Sequence, residues 1–408
     1  MASTSTTLQD SRTPDNTRIA LFISGLTFGG VQRSMLNLAK GLAEKGYQVD
    51  LVVPNASGQF FDQVSSSVRL VDIGDWLTRL PWFRSRKRRR AMVSIFALAR
   101  YLELNQPAVL ISASHYVNLA AILGRSLART NTPIIISQRT HLSDAILNTN
   151  FPGGKRPFLG WMTRHFYPKA ETIIAVSDGV ADDLATCANI SRQNIRTIYN
   201  PVVTPELIRQ SQAPLDHPWY APGSPPVILG VGRLARQKDF PTLLRAFAQV
   251  RANRPARLLI LGEGKKRQEL EALAKELHLN NDIAFPGFAK NPFSFMANSD
   301  VFVLSSAYEG LPGVLIQAMA CGCPVVSTEC PSGPREILQH GQLGPLVPVG
   351  DSTALAKSIL SMLDNPTNKK KLMTRADDFS LDRAVDQYAS LFSETRSHAT
   401  SCHIPKHG

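Results

Sequence analysis

Twice along this chain, short apolar runs alternate with segments of helical period, and a proline-rich break separates the two series. Strands joined through helices pair in parallel, and a parallel sheet is buried on both faces, so each series reads as an α/β, doubly wound domain. The first comprises Ile19–Ser24, Gln48–Val53, Val68–Ile73, Val109–Ser112, Ile134–Ser137 and Thr172–Val176. Between its first two runs, Val31, Met35, Leu38, Ala39 and Leu42 recur at helical spacing until Gly46. Residues 204–226 carry six prolines among polar residues and are expected as part of a linker over 201–226. The second series follows at Val227–Val231, Arg257–Leu261, Asp282–Phe285, Val301–Leu304 and Pro324–Ser327. Pro241 opens a helix with Leu244, Phe247, Ala248 and Arg251 on one face. A chain of 408 residues suffices for two such cores. The expected division is a disordered tail at 1–17, domains at 18–200 and 227–378, a last helix within 379–396 and a second tail at 397–408.

Composition narrows the setting. With 43% hydrophobic and 19% charged residues and no apolar run near the roughly 18 residues of a membrane span, the chain reads as globular. Met1 to Thr17 has no apolar centre and does not resemble a signal peptide. The five cysteines, Cys187, Cys321, Cys323, Cys330 and Cys402, are odd in number and form no Cys-x-x-Cys pair. Reduced thiols and a cytoplasmic location are expected. Cys321 and Cys323 flank Gly322 in what reads as a tight turn, and the histidines are scattered, so no metal site is expected. The net charge is +13, and six of the seven residues from Arg84 to Arg90 are basic. Phosphates on a substrate, anionic lipid or nucleic acid all suit such a run.

Residues 305–326 compress an acid, a turn, a helix start and a buried strand into one stretch. The run Val301–Leu304 delivers Glu309 to a strand end, and Gly310-Leu311-Pro312-Gly313 turns the chain so that a helix begins near Val314. The amides of Gly313, Val314 and Leu315 are expected to be unpaired and to face a crevice, as anion-binding helix ends do. Gln317, one turn on, is expected near Glu309. Gly29-Gly30, between the first strand and first helix, can bring backbone against a phosphate or sugar, Gly30 being the better candidate. Gly262-Glu263-Gly264 ends another strand and can do the same for a nucleotide, although such a triplet is common in any α/β protein. Phe288 fits beside a base or in a core. Past strand ends in the first half come His115 and the cluster Gln138-Arg139-Thr140-His141, in which Arg139 suits an acceptor phosphate.

Glu309 and Gln317, eight residues apart, resemble the paired acids of family 4 retaining glycosyltransferases (glycosyl transferases group 1), with an amide in place of the second acid. Gly232-Arg233-Leu234 and Lys238 resemble the same family's diphosphate grip. The resemblance spans most of residues 18–395 and implies the GT-B fold, two Rossmann-like domains facing across a cleft with the last helix crossing back to the first domain. It implies that Glu309 faces the transferred sugar and that position 317 holds the donor ribose. Arg233 and Lys238 then neutralise the leaving diphosphate without a metal, and His115 lies near sugar and acceptor. Gly30, Gly232, Gly262, Glu263, Gly313, Val314, Leu315 and Gln317 fall on the donor side and Arg139 on the acceptor side. Asp178-Gly179-Val180 and the segment Ser332–Ile337 also recur in the family, the second on the cleft side. The nucleotide-sugar is a substrate, so no cofactor is expected, and no nucleic acid partner. The acceptor expected is a saccharide or a lipid-linked glycan precursor at the cytoplasmic face. Arg84, Arg86, Lys87, Arg88, Arg89 and Arg90, preceded by Trp76, Leu77, Leu80, Trp82 and Phe83, are then candidates for contact with an anionic membrane. Two alternatives remain open: a sugar-nucleotide epimerase of the same architecture and a non-catalytic basic binding protein.

Overall fold

The computed structural model describes residues 17–27, 29–74, 87–143 and 156–401. The first sheet is built from β1 (Arg18–Phe22), β2 (Gln48–Val53), β3 (Val68–Asp72), β4 (Val109–Ala113), β5 (Ile134–Gln138), β6 (Thr172–Ala175) and β7 (Ile195–Thr197). Its strands are parallel in the order β3-β2-β1-β4-β5-β6-β7. The second contains β8 (Val227–Val231), β9 (Arg257–Leu261), β10 (Ile283–Gly287), β11 (Val301–Leu304), β12 (Val325–Thr328) and β13 (Leu346–Val347), parallel in the order β10-β9-β8-β11-β12-β13. In each sheet the order reverses beside the first strand, between β1 and β4 and between β8 and β11. Crevices open at the carboxyl ends of strands at such reversals, and ligands of doubly wound sheets bind there.

Helices α1 (Gly30–Glu44), α2 (Lys87–Asn105), α3 (His115–Leu127), α4 (Arg156–Phe166) and α5 (Asp178–Ala188) belong to the first half. They are followed by α6 (Pro205–Ser211), α7 (Phe240–Asn253), α8 (Arg267–Glu276), α9 (Pro292–Asn298), α10 (Gly313–Ala320), α11 (Pro334–Ile337), α12 (Ser352–Asp364), α13 (Lys369–Ala376) and α14 (Leu381–Ser401). The central strands β4 and β5 are buried along their whole length, as helix-covered strands must be.

The stretch expected as a linker is folded. Thr204 caps α6 by accepting from the Leu207 amide at 3.2 Å, Leu207 is buried, and Asn291 donates to Gln210 O at 2.8 Å, so residues 201–226 lie against the second half. Proline richness there reflects helix starts, at Pro205 and at the 3-10 turn Pro218–Tyr220, as well as loops. The chain crosses between halves twice. The Val202 and Val203 amides both donate to Phe379 O, at 3.0 and 3.1 Å, and the Leu381 amide donates to Val203 O at 2.9 Å, so the two crossings are laced together. After the second, α14 packs on α1: Leu381, Val385, Tyr388, Leu391 and Phe392 share one buried cluster with Met35, Leu38 and Leu42. Gly41 permits the contact, because a Cβ there would stand 2.6 Å from Val385 Cγ2.

Two edge strands, β7 and β13, had no counterpart in the periodicity; at three and two residues they are too short to show one. Trp76, Leu77, Leu80, Trp82, Phe83, Arg84 and Arg86 lie outside the described residues, as do both chain ends beyond 17 and 401. Lys87, Arg88, Arg89 and Arg90 form the first turn of α2. Among the described residues no helix is long and apolar enough to cross a membrane. The cysteines described, Cys187, Cys321, Cys323 and Cys330, are free.

Candidate active site

The buried strand β11 ends at Leu304, and the loop beyond it is stapled to the 3-10 turn Arg236–Lys238 that follows β8. Ser305 Oγ donates to Lys238 O, and the Ala307 amide to Gln237 O, both at 2.8 Å. This brings the two sides of the second reversal together, and Glu309 collects the donors of both. Lys238 Nζ and Ser306 Oγ each lie 2.7 Å from Glu309 Oε1, and Gln237 Nε2 lies 3.4 Å from Oε2 and 3.0 Å from Tyr308 O. The paired side chains are 15% and 10% exposed. An ion pair this enclosed gains little for stability once desolvation is counted, so its placement at a ligand crevice points to chemistry.

Backbone geometry explains the glycines. The Lys238 stem crosses Gly232 so closely that a Cβ there would meet Lys238 Cε at 3.0 Å. Gly262 has φ +141, and a Cβ on it would stand 1.9 Å from Gly232 O, so no side chain fits. A Cβ on Gly264 would meet Leu234 O at 2.2 Å, and the Leu234 amide donates to Glu263 O at 3.0 Å. The loops after β8 and β9 are therefore interlocked. The Glu263 side chain is ion-paired to Arg267 at 2.9 Å and about half exposed. Arg233 is exposed and makes no side-chain hydrogen bond or ion pair among the described residues.

Helix α10 starts at Gly313 with no side-chain cap, and its N-cap Pro312 has no N–H. The expectation of three open amides needs correction: the Leu315 amide donates to Pro312 O at 3.0 Å, which leaves those of Gly313 and Val314 without a partner among the described residues. Gln317 is half-buried on the same helix, and its side chain makes no hydrogen bond among the described residues. Phe288 is exposed, just past the end of β10.

In the first half, Gly30 opens α1 with clear space over its Cα. His115 opens α3 from the end of β4, the strand at the first reversal. Burial lowers its pKa to about 4, so the ring is neutral near pH 7; Nδ1 lies 3.1 Å from Tyr167 Oη. Arg139 is not presented to solvent. Its guanidinium is buried, Nη1 donating to Ser34 Oγ at 3.0 Å and to Asn200 Oδ1, and Nη2 lying 2.9 Å from Met35 Sδ. Asn200 sits at the first crossing, so this cation is committed to the junction of the halves. His141 pairs with Asp183 at 3.7 Å.

The halves meet directly at the Glu309 loop, a contact that sequence reasoning did not anticipate. Ser177, which caps α5 by accepting from the Val180 amide, donates to Gly310 O at 3.0 Å, and Ser332 Oγ donates to the same oxygen at 2.8 Å. A Cβ on Gly310 would stand 2.3 Å from Arg139 O. Glu336 accepts from the Asp178 amide at 3.0 Å and from Tyr199 Oη at 2.7 Å, so the two recurring segments noted in sequence clasp one another. Burial raises the Glu336 pKa. Gln237 and Ser306 were also missed as partners of Glu309, although both stand beside residues singled out in the sequence. Among the described residues no cluster of His, Cys, Asp and Glu is arranged to hold a metal.

Two family models cover the chain in succession: Glycosyltransferase Family 4 over residues 28–205 and glycosyl transferases group 1 over residues 215–378. An N-acetylgalactosamine-N,N'-diacetylbacillosaminyl-diphospho-undecaprenol 4-alpha-N-acetylgalactosaminyltransferase of Campylobacter jejuni is 29% identical over 370 residues, 89% of this chain and 95% of that protein. A lipopolysaccharide core biosynthesis glycosyltransferase of Rhizobium meliloti is 29% identical over 56% of this chain and 66% of its own length. Among solved structures, Anabaena HepE in complex with UDP superposes with a TM-score of 0.71 at 19% identity, covering 93% of this chain and 100% of that one. The lipopolysaccharide outer core galactosyltransferase WaaB does so with a TM-score of 0.69 at 20% identity, covering 93% and 100%. These comparisons give the epimerase alternative no support. With two parallel-sheet domains, an acid and a lysine joined across the second reversal, and both halves matched, the chain belongs to the family 4 glycosyltransferases of GT-B fold.

Proposed function

We propose that this protein is a retaining glycosyltransferase that moves a sugar from a nucleotide-sugar donor, without a metal, to a saccharide or lipid-linked acceptor at the cytoplasmic membrane face. The observation that carries the reading is the enclosed Lys238–Glu309 pair between the ends of β8 and β11, with Arg233 in the same loop as Lys238 and unpaired among the described residues. A departing nucleoside diphosphate gathers negative charge on its bridging oxygen. Arg233 can grip two phosphate oxygens with its fork, Lys238 can share its ammonium between Glu309 and phosphate, and the Gly313 and Val314 amides can donate to a further oxygen. All are fixed before the reaction, so they stabilise charge without reorganising. Glu309, held by three donors, has no second carboxylate in the position 317 of its motif, which disfavours a two-acid covalent route. It instead orients the sugar and stabilises positive charge on the ring, while the leaving phosphate takes the acceptor's proton on the same face.

The lipid-linked acceptor rests on the relative named for a diphospho-undecaprenol substrate, and the nucleotide on neighbours solved with UDP and UDP-glucose. The test is a panel of radiolabelled nucleotide-sugars assayed in EDTA, with and without undecaprenyl-diphosphate glycans, and the anomeric configuration of the product read by NMR. Transfer with retained configuration is expected. An inverted product, or transfer only after manganese is restored, overturns the corresponding part of the reading.

A further inference from the structure

Around His115 lies a buried polar set whose hydrogen bonds fix where the shared proton sits. His115 is 6% exposed, and its Nε2 is buried without a partner among the described residues. Asn118 Nδ2 donates to Ser137 O at 3.1 Å and to Tyr167 Oη at 3.2 Å, while Oδ1 accepts from Ser112 Oγ at 2.8 Å. The carbonyl at Ser137 requires the nitrogen on that side, which sets the amide orientation. Gln138 Nε2 donates to Thr140 O at 2.8 Å for the same reason, so its Oε1 faces Tyr167 Oη at 3.0 Å and can only accept. The single Tyr167 proton therefore goes to Gln138. Its oxygen then accepts from Asn118, and its contact with His115 Nδ1 requires the ring to be the donor. Were Tyr167 to give its proton to His115 instead, Gln138 Oε1 would face a bare phenolic oxygen, two buried acceptors with no hydrogen between them.

We propose that Tyr167, Gln138 and Asn118 are positioning residues that lock His115, which the family resemblance places near the transferred sugar, in its Nδ1–H tautomer, so that Nε2 meets a hydroxyl or amide N–H of that sugar as an acceptor. A phosphate or carboxylate has no proton to offer that atom, so the ring selects the sugar and not the diphosphate. The location agrees: His115 follows β4 at the first reversal, and Ser114 before it holds φ +93, a strained value for a side chain other than glycine that sets the turn from strand into helix. Unpaired buried acceptors are uncommon, and β4, which leads into His115, ends at the reversal where ligands of doubly wound sheets bind. The inference deepens the glycosyltransferase reading and rests on it.

The test is long-range proton–nitrogen NMR of the full chain labelled at histidine nitrogens, with His115 assigned by its loss in His115→Asn. Wild type should show the proton on Nδ1. In Tyr167→Phe, which keeps the ring volume, that preference should be lost. The wild-type spectrum decides the tautomer whether or not the variant folds, and a proton on Nε2 overturns the proposal. The ligand half is read by adding the tightest binder among UDP-glucose, UDP-N-acetylglucosamine and GDP-mannose, then its bare nucleoside diphosphate. The Nε2 resonance should move upfield with the sugar conjugate and stay in place with the diphosphate. Movement with both, or with neither although the conjugate binds, overturns the assignment to the sugar. If no nucleotide-sugar binds, the glycosyltransferase reading fails and takes the ligand half with it, while the tautomer remains separately measured.

Discussion

At the scale of single residues, the three donors around Glu309 show why the motif was legible and its surroundings were not. Glu309, Arg233 and Lys238 stand in recognisable spacing, and the chemistry of a leaving diphosphate asks for such cations. Gln237 directly precedes Lys238 and Ser306 lies three residues before Glu309, yet a serine and a glutamine carry no signature until a fold turns them toward a carboxylate. Tyr167 is further still, 52 positions from His115, and only the pairing of β4 with β5 brings its surroundings together. Arg139 illustrates the converse: a polar strand-end cluster reads as a ligand surface, whereas burial beside Asn200 lowers the guanidinium pKa and ties it to the crossing. We expect Arg233→Ala and Lys238→Ala each to lower turnover about 10²–10³-fold with the fold intact, the usual cost of removing one preorganised donor to developing charge. Circular dichroism with steady-state rates checks this, and wild-type turnover in a folded double variant would remove the site. Gln317→Glu should be tolerated and tighten donor binding, because a carboxylate makes stronger bonds to ribose hydroxyls than an amide does. Calorimetric titration with donor decides it, a more than tenfold loss of affinity showing that Gln317 has another role.

Elements were read well where they are long and periodic, and least well at their ends. Strands β2, β8, β9 and β11 occupy the residues expected, since buried parallel strands announce themselves as continuous apolar runs. The start of α10 was placed correctly, but the Leu315 bond to Pro312 is a matter of turn geometry that no composition reveals. The packing of α14 on α1 depends likewise on Gly41, whose hydrogen is all that separates it from Val385 and Leu381. Gly41→Val should therefore destabilise the protein by about 1–3 kcal/mol through overpacking. Chemical denaturation measures it, and unchanged stability would mean that α14 lifts away from α1 at little cost.

On the scale of the whole molecule, the two-domain division followed from the two strand series, while the junction did not, because it is made by single contacts such as Ser177 to Gly310 and Glu336 to Asp178. The basic run before and within the first turn of α2 belongs to this scale too. If it meets a membrane, each basic residue near anionic lipid contributes about 1 kcal/mol. We expect wild type to co-sediment with anionic vesicles at low salt and a variant with all six basic residues changed to Gln to remain in solution; equal, weak pelleting of both would leave a soluble acceptor as the better reading. The clasp of α14 on α1 also sets an order of events at the ribosome. The first domain's apolar cluster around Met35 and Leu42 is completed by residues near the end of the chain. Although every strand of that domain is synthesised early, it emerges with one helix face uncovered and must wait, exposed to aggregation, until the second domain has been made and the last helix returns to close it.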